Sequence, residues 1–123
     1  MRLIRRATTL LMASTSVQSS TTPPAYDVVV YGASGFTGRL AVEYLADRYA
    51  ASGLKWAIAG RSRERLEALE AAVPIIVADA TDAASVDAMV AQTKVLLNYA
   101  GSPYITKALP VVEACARLSL IHI

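Results

Sequence analysis

Residues 27–31 carry three consecutive valines, Val28, Val29 and Val30, between polar Asp27 and Gly32. A short, continuous β-branched run bounded by a glycine reads as a strand buried on both faces, as in a parallel sheet. Residues 32–38 are rich in glycine. After them Phe36, Leu40, Ala41, Tyr44 and Leu45 recur at helical spacing, with Glu43, Asp47 and Arg48 on the outer side, and Ser52-Gly53 closes the helix. The unit then repeats. Residues 55–59 (Lys-Trp-Ala-Ile-Ala) read as a second strand ended by Gly60, and residues 63–72 as a second helix with Leu66 and Leu69 inward. Residues 74–78, with Ile75, Ile76 and Val77, read as a third strand. Thr81 is placed to cap a third helix striped by Val86, Met89 and Val90. Residues 95–99 read as a fourth strand, and Pro110 opens a fourth helical pattern through Val111, Val112 and Cys115.

Strands alternating with helices predict an α/β fold in three layers, a Rossmann-type parallel sheet with helices on both faces. About four strands are expected, in the order 3-2-1-4, with the switch point between strands 1 and 4. On this reading the domain is incomplete.

Charge changes the picture at one end. The chain has 123 residues, is 54% hydrophobic, and holds 12 Lys+Arg against 10 Asp+Glu. Residues 1–26 hold Arg2, Arg5 and Arg6 and no acid, so the rest is close to neutral. A nucleic-acid binder would need its basic excess on the folded part, so that class of partner is not expected. No apolar run reaches the ~18–20 residues of a membrane span, so no transmembrane segment is expected. A single cysteine, Cys115, rules out an internal disulfide framework.

Residues 1–25 contain nine Ser/Thr and three Arg, and end close to Pro23-Pro24. That composition is that of an organellar transit peptide, which predicts a mitochondrial location. A weak secretory signal over residues 7–13 and a disordered leader without an address are the alternatives. Fusing residues 1–25 to a reporter separates them.

The chemistry centres on Gly32-Ala33-Ser34-Gly35-Phe36-Thr37-Gly38, a G-x-x-G-x-x-G run lying between the valine strand and a helix. Gly32 lets the chain turn off the strand. Gly35, without a Cβ, lets a pyrophosphate approach the backbone, and Gly38 lets the helix pack closely. The free amides and positive dipole end of the helix then face the phosphates. Ser34 and Thr37 offer hydroxyls. The pattern predicts dinucleotide binding.

An NAD site usually places an acid at the end of strand 2, to bind the ribose 2′-hydroxyl. Here the sequence is Ala59-Gly60-Arg61-Ser62. Arg61 offers a guanidinium fork to a 2′-phosphate, Ser62 a short donor, and Arg39 an approach from the other side, which favours NADP over NAD. Arg63 and Arg65 read as solvated. Asp79 lies where adenine would rest; it either accepts from the adenine amino group or caps helix 3. Asn98, ending strand 4, either binds the nicotinamide ribose or holds its strand by local hydrogen bonds. Ala100 and Gly101 permit close cofactor approach. His122 is expected to have no partner, which argues against a metal site, and Cys115 is expected to be core.

Residues 26–38, Ala59-Gly60-Arg61-Ser62, the Asp79 segment, Leu97-Asn98-Tyr99-Ala100-Gly101 and Pro110-Val111-Val112-Glu113-Ala114-Cys115 resemble, in order, the saccharopine dehydrogenase-like oxidoreductases. The resemblance spans about residues 26–117. It implies an N-terminal NADP-binding domain, with Gly32, Ser34, Gly35, Phe36, Thr37, Gly38 and Arg61 as binding positions. It also implies hydride transfer in the full enzyme, a role in lipid metabolism, and association with mitochondria, lipid droplets or membranes, a cytoplasmic location being the other alternative. The family tends to Gly-Pro-Tyr after strand 4 and Gly-Glu-Pro before helix 4. Here the sequence is Gly101-Ser102-Pro103-Tyr104, and Ala108-Leu109 precede Pro110.

Three segments are therefore expected: a leader over 1–25, a partial Rossmann domain over 26–117, and a tail over 118–123 that departs from the family and looks like translated library adapter. A genomic stop codon after Ile123 would contradict the last. No acid/base pair for a substrate is visible, so catalytic residues stay unassigned. The small-molecule substrate is expected to sit on a missing C-terminal domain, and the isolated chain to be inactive. Alternatives are a non-catalytic NAD(P)-binding or sensing module, and an atypical short-chain reductase. The latter would want a Tyr and a Lys four apart, whereas Tyr104 and Lys107 are three apart.

Overall fold

A computed structural model describes residues 23–100 and 107–123. The leader up to residue 22, Gly101 and the Ser102–Tyr104 stretch lie outside the described residues, and with them the expectations placed there. Strand β1 (Tyr26–Tyr31) is followed by α1 (Phe36–Tyr49), β2 (Trp56–Gly60), α2 (Arg63–Glu67), β3 (Ile75–Val77), α3 (Ala83–Val90), β4 (Thr93–Asn98), α4 (Leu109–Arg117) and β5 (Ile121–His122). The sheet runs β3-β2-β1-β4-β5, every pair parallel.

Strand alternation divides the core into two layers. Val30 faces Val42, Leu45, Trp56, Ile58 and Leu66, beneath α1 and α2. Val29 and Tyr31 face the opposite side, with Ala57, Ala59, Leu96 and residues of α3 and α4. Successive side chains of a strand point to opposite faces, so one valine run serves both layers. That explains why β1 and β2 read as continuous apolar sequence rather than as an alternation. Helices change face between β1 and β4, where the two halves of such a sheet part and ligands bind.

At the other end of β1 the Asp27 carboxylate takes an ion pair from Lys94 Nζ (3.1 Å) and a hydrogen bond from the Lys55 amide (3.1 Å). The Lys55 amide first, then Lys94, hold its carboxyl below the usual range. Cys115 is buried in the α3–α4 layer, and burial alone pushes its thiol up to about 11. It is a packing residue, as the sequence indicated.

The structure departs from the sequence reading at five places. First, α1 buries only part of the expected stripe, Leu45 with Ala41 packed beside it. Phe36 is 76% exposed, Leu40 53% and Tyr44 52%, while Gly38, Val42 and Leu45 are buried. Gly38 sets this rotation, because only a glycine can lie against the Gly32 carbonyl oxygen. The face continuing from it at i+4 and i+7 goes inward, and the larger apolar residues are turned out.

Second, α2 ends at Glu67 rather than at residue 72. The chain must turn back to set Ile75 beside Ile58, and does so with Glu70 and Ala72 at φ 51° and 56°. Pro74 also disfavours helix at the residue before it. Third, the N-cap of α3 is Asp82, whose side chain accepts from the Ser85 amide, and neither Thr81 nor Asp79. Fourth, a fifth strand extends the sheet beyond the four expected. The tail pairs with β4, Val95 opposite Ile121 and Leu96 opposite His122. Fifth, His122 has a partner: its Nε2 lies 3.2 Å from Asn98 Nδ2.

Candidate functional site

The glycine turn sits at the C-terminal end of β1, and each glycine meets different surroundings. Gly32 has φ +79°, and a Cβ there would lie 2.7 Å from the Ala100 nitrogen and 2.8 Å from the Tyr99 carbonyl carbon. The backbone conformation and the close approach of the β4 terminus both demand glycine. A Cβ on Gly38 would overlap the Gly32 carbonyl oxygen and come within 2.9 Å of Ala33 Cα. The fold itself therefore requires both residues.

Gly35 differs. Its φ is −75°, which any residue adopts, and a Cβ there would meet only the Gly32 oxygen, at 3.4 Å. Nothing in the protein's own packing requires glycine at this position. It is the N-cap of α1, has no side-chain cap to offer, and precedes a first turn that holds no acid. The amides of that turn have no partner within the helix, and the positive end of the dipole lies there. A bare, open helix start of this kind suits an anion.

Beside it, a cavity of about 290 Å³ opens at the C-terminal ends of the strands. Of the residues picked out from sequence, Gly32, Ser34, Arg61, Asp79 and Ala100 line it. Gly35, Phe36, Thr37, Gly38, Arg39, Ser62 and Asn98 do not, and Gly101 is outside the described residues. Ala33 is fully buried in the α1–α2 layer, which makes it a packing residue. Arg39 and Phe36 are solvent-exposed on α1.

Two residues have side chains already engaged. Ser62 is the N-cap of α2, its Oγ accepting from the Arg65 amide at 3.3 Å. Its hydroxyl hydrogen remains available to a ligand. Asn98 holds the end of β4: Oδ1 accepts from the Ala100 amide at 3.1 Å, and Nδ2 faces His122. Of the two roles open to Asn98, the geometry displays the local one, and it fixes Ala100 against Gly32.

The β3–α3 loop is held by a compact network. Asp79 Oδ1 accepts from the Thr81 amide (2.9 Å) and hydroxyl (2.8 Å), and Ser85 Oγ accepts from the Asp79 amide at 3.0 Å. The Thr81 amide and hydroxyl, with smaller help from Arg61 and Lys107, hold the Asp79 carboxyl below its usual range. It is therefore a carboxylate at neutral pH with one oxygen committed to the loop.

Sequence reasoning missed Tyr31, Arg65, Tyr99 and Lys107, which line the same cavity. Tyr31 is only 3% exposed, and burial, then the charge of Asp79, raises its phenol. The pleat carried the signal for Tyr31, since alternation sets it with Val29 on the α3–α4 side rather than toward α1. The lining holds three cations, Arg61, Arg65 and Lys107, against one carboxylate, so the cavity favours an anionic guest. Among the described residues no group of three or more His, Cys, Asp or Glu is placed to hold a metal, and no helix is long and apolar enough to cross a membrane.

The sequence matches the family described as "Saccharopine dehydrogenase NADP binding domain" over residues 28–120. It is 42% identical over 99 residues to a trans-acting enoyl reductase of Mycobacterium leprae, covering 75% of this chain and 23% of that protein. A putative trans-acting enoyl reductase of Mycobacterium tuberculosis is 41% identical over 102 residues, 77% of this chain and 24% of the relative. The chain thus spans about a quarter of these relatives' length.

Among solved structures, saccharopine dehydrogenase (L-Glu forming) of Saccharomyces cerevisiae superposes with TM-score 0.66 at 24% identity, covering 79% of this chain and 21% of that one. Triphenylmethane reductase of Citrobacter, solved with NADP(H), superposes with TM-score 0.63 at 23% identity, covering 76% and 34%. At that identity both likenesses speak for the fold.

Proposed function

Because the chain belongs to the saccharopine dehydrogenase NADP-binding domain family, we propose that it holds the cofactor of a reductase through its own glycine turn and Arg61. The cofactor is NADP. Its residues fit that group: a turn that requires glycine at positions 32 and 38, an open helix start at Gly35, and an arginine where an NAD site would carry an acid.

In this reading the amides after Gly35 take the diphosphate, and Ser34 and Thr37 add hydroxyl donors. Arg61 and Ser62 take the 2′-phosphate, and the free oxygen of Asp79 accepts from the adenine amino group. Ala100, set by Asn98, leaves room beside the nicotinamide ribose, with Gly101 next in sequence. When bound, the nicotinamide supplies or accepts a hydride, the chemistry of this cofactor class. Tyr99 and Lys107 line the cavity and contribute polar groups at its edge.

The observation that carries the proposal is that Arg61 and the glycine turn open on one cavity. The test is titration of NADPH and NADH into the wild type and into Arg61→Ala. A charge-assisted bond of ~1.5–3 kcal/mol predicts that NADPH binding weakens about ten- to a hundredfold. NADH should change by less than about twofold. An unchanged ratio between the two cofactors would remove Arg61 from the 2′-phosphate site.

For the longer protein we propose reduction of an electron-poor, enoyl-type double bond in a lipid-like substrate, held by the part of the relatives that this chain does not span. The names of the relatives support this. The expected result is NADPH oxidation by the longer protein on an α,β-unsaturated acyl thioester, with none by the 123-residue chain alone. Turnover by the 123-residue chain alone would contradict the division of labour.

A further inference from the structure

The rotation that Gly38 imposes on α1 leaves Phe36, Leu40 and Tyr44 on its outer side, each about one turn from the next and more than half exposed. Beside this ridge runs a groove of about 620 Å³. Leu40, Ala41 and Tyr44 line it from α1, Val28 and Leu97 from the sheet, and Tyr99 from the end of β4. It extends from Thr37 in the first turn of α1 to Tyr49 at its end. At ~1.5 Å per residue that is about 18 Å, room for roughly three turns of a helix. No charged side chain lines the groove, unlike the cofactor cavity, and Tyr99 lines both.

The two faces of the sheet are covered unequally. On one face α1 packs on β1, and α2 on β2 and β3. On the other, α3 packs on β3 and β4, and α4 lies against α3. Leu96 is accordingly fully buried, whereas Leu97, which points to the α1 side, is half-buried. Among the described residues no helix lies over β4 on that side, and the groove occupies the place of one. A parallel sheet is ordinarily covered on both faces. A contiguous apolar strip left in water marks a surface that something else covers.

We propose that this groove seats one amphipathic helix from the part of the relatives that this chain does not span, laid beside α1 over β4. The chain spans about a quarter of those proteins, which leaves ample length for a segment to return to the sheet. Phe36, Leu40 and Tyr44 stand at i, i+4 and i+8, the row of side chains that packs into the furrows of a second helix at roughly 8–10 Å between axes. The uncharged lining suits the apolar stripe of such a helix and offers nothing to a phosphate or a nucleotide. A segment of the same chain also covers the groove without the loss of freedom that association of two molecules costs. The docked helix bears on Tyr99 and so backs one wall of the cofactor cavity. The inference stands whether or not that cavity takes NADP.

The experiment places Leu40→Cys in the 123-residue chain and in the longer protein and follows its reaction with N-ethylmaleimide. Trypsin cuts after Arg39 and Arg48, so the peptide of residues 40–48 reports this site alone by mass spectrometry. Cys115, buried and with its thiol pushed up to about 11, should stay unlabelled in both and report an intact fold. Labelling should be fast in the 123-residue chain and at least about a hundredfold slower in the longer protein. Leu40→Glu gives a second readout. It should shift the melting temperature of the 123-residue chain by less than about 3 °C, as for an exposed site, and lower that of the longer protein by about 5 °C or more.

Equal labelling rates in the two proteins would leave the groove open in the longer one and overturn the proposal. Protection of the short chain that grows with its own concentration would give the groove to a second copy. Protection of the longer protein only on adding phosphatidylcholine vesicles would give it to a lipid surface. Either result overturns the proposal, as does a loss of melting temperature by Leu40→Glu that is equal in both proteins, which would assign Leu40 to the packing of α1 itself.

Discussion

Gly38→Ala should unfold the chain or leave it unable to bind NADPH. The new Cβ would overlap the Gly32 carbonyl oxygen and press on Ala33 Cα, so two segments of backbone would have to move apart. Overpacking a well-filled site costs ~1–3 kcal/mol when side chains can give way. Here the obstructing atoms are backbone, so the upper end of that range, about 3 kcal/mol, is the expectation. For a domain of this size ~3 kcal/mol lowers the melting temperature by about 12–24 °C.

Gly38 also sets the rotation of α1, with Val42 and Leu45 buried on the same face. Moving it displaces the helix start from the turn, so binding should fall together with stability. Thermal melting followed by circular dichroism checks the first effect, and NADPH titration the second. A variant that melts like the wild type and binds NADPH normally would show that the close contact between α1 and the turn is not needed.

Gly35→Ala should do the reverse, leaving the fold and removing the ligand. Its φ of −75° suits alanine, and the added methyl would meet only the Gly32 oxygen, at the edge of ordinary contact. Loss of a glycine N-cap costs at most ~1 kcal/mol. The methyl would project into the open space where the diphosphate must reach the amides of α1. Weakening those charge-assisted hydrogen bonds by ~1.5–3 kcal/mol predicts a loss of about ten- to a hundredfold in affinity for NADPH and NADH alike. The parallel loss separates this position from Arg61, where NADPH alone should suffer. Normal binding by Gly35→Ala would mean that the diphosphate does not lie against this residue.

The contrast between the two glycines also shows what was legible in the sequence. Gly32 and Gly38 were readable because their structural roles follow from spacing between a strand and a helix, while the ligand roles of Gly35 and Arg61 belong to the proposed site. The order of the first four strands was readable for a similar reason, each valine- or isoleucine-rich run being separated by one helical stretch. The face of α1 was not readable. Phe36, Leu40 and Tyr44 carry more apolar area than Gly38 and Val42, so periodicity took in three residues that face outward beside Ala41 and Leu45, which pack inward. The deciding contact, between Gly38 and Gly32, exists only in the folded chain.

The early end of α2 was hidden because residues 68–72 suit a helix locally, while the need to place Ile75 beside Ile58 is a long-range demand. Asp82 and Thr81 are both good caps, and the choice between them depends on Ser85, which the folded loop brings back to Asp79. The Asn98–His122 contact joins residues of adjacent strands, and it required the fifth strand to be in place.

The central claim is that the glycine turn and Arg61 form one site for a 2′-phosphorylated dinucleotide. Isothermal titration of the wild-type chain with NADPH and NADH tests it most directly. NADPH should bind at least about tenfold more tightly than NADH, in a single site, with the difference narrowing as salt is raised. Equal affinities, a preference for NADH, or no binding of either cofactor to the folded chain would contradict the account.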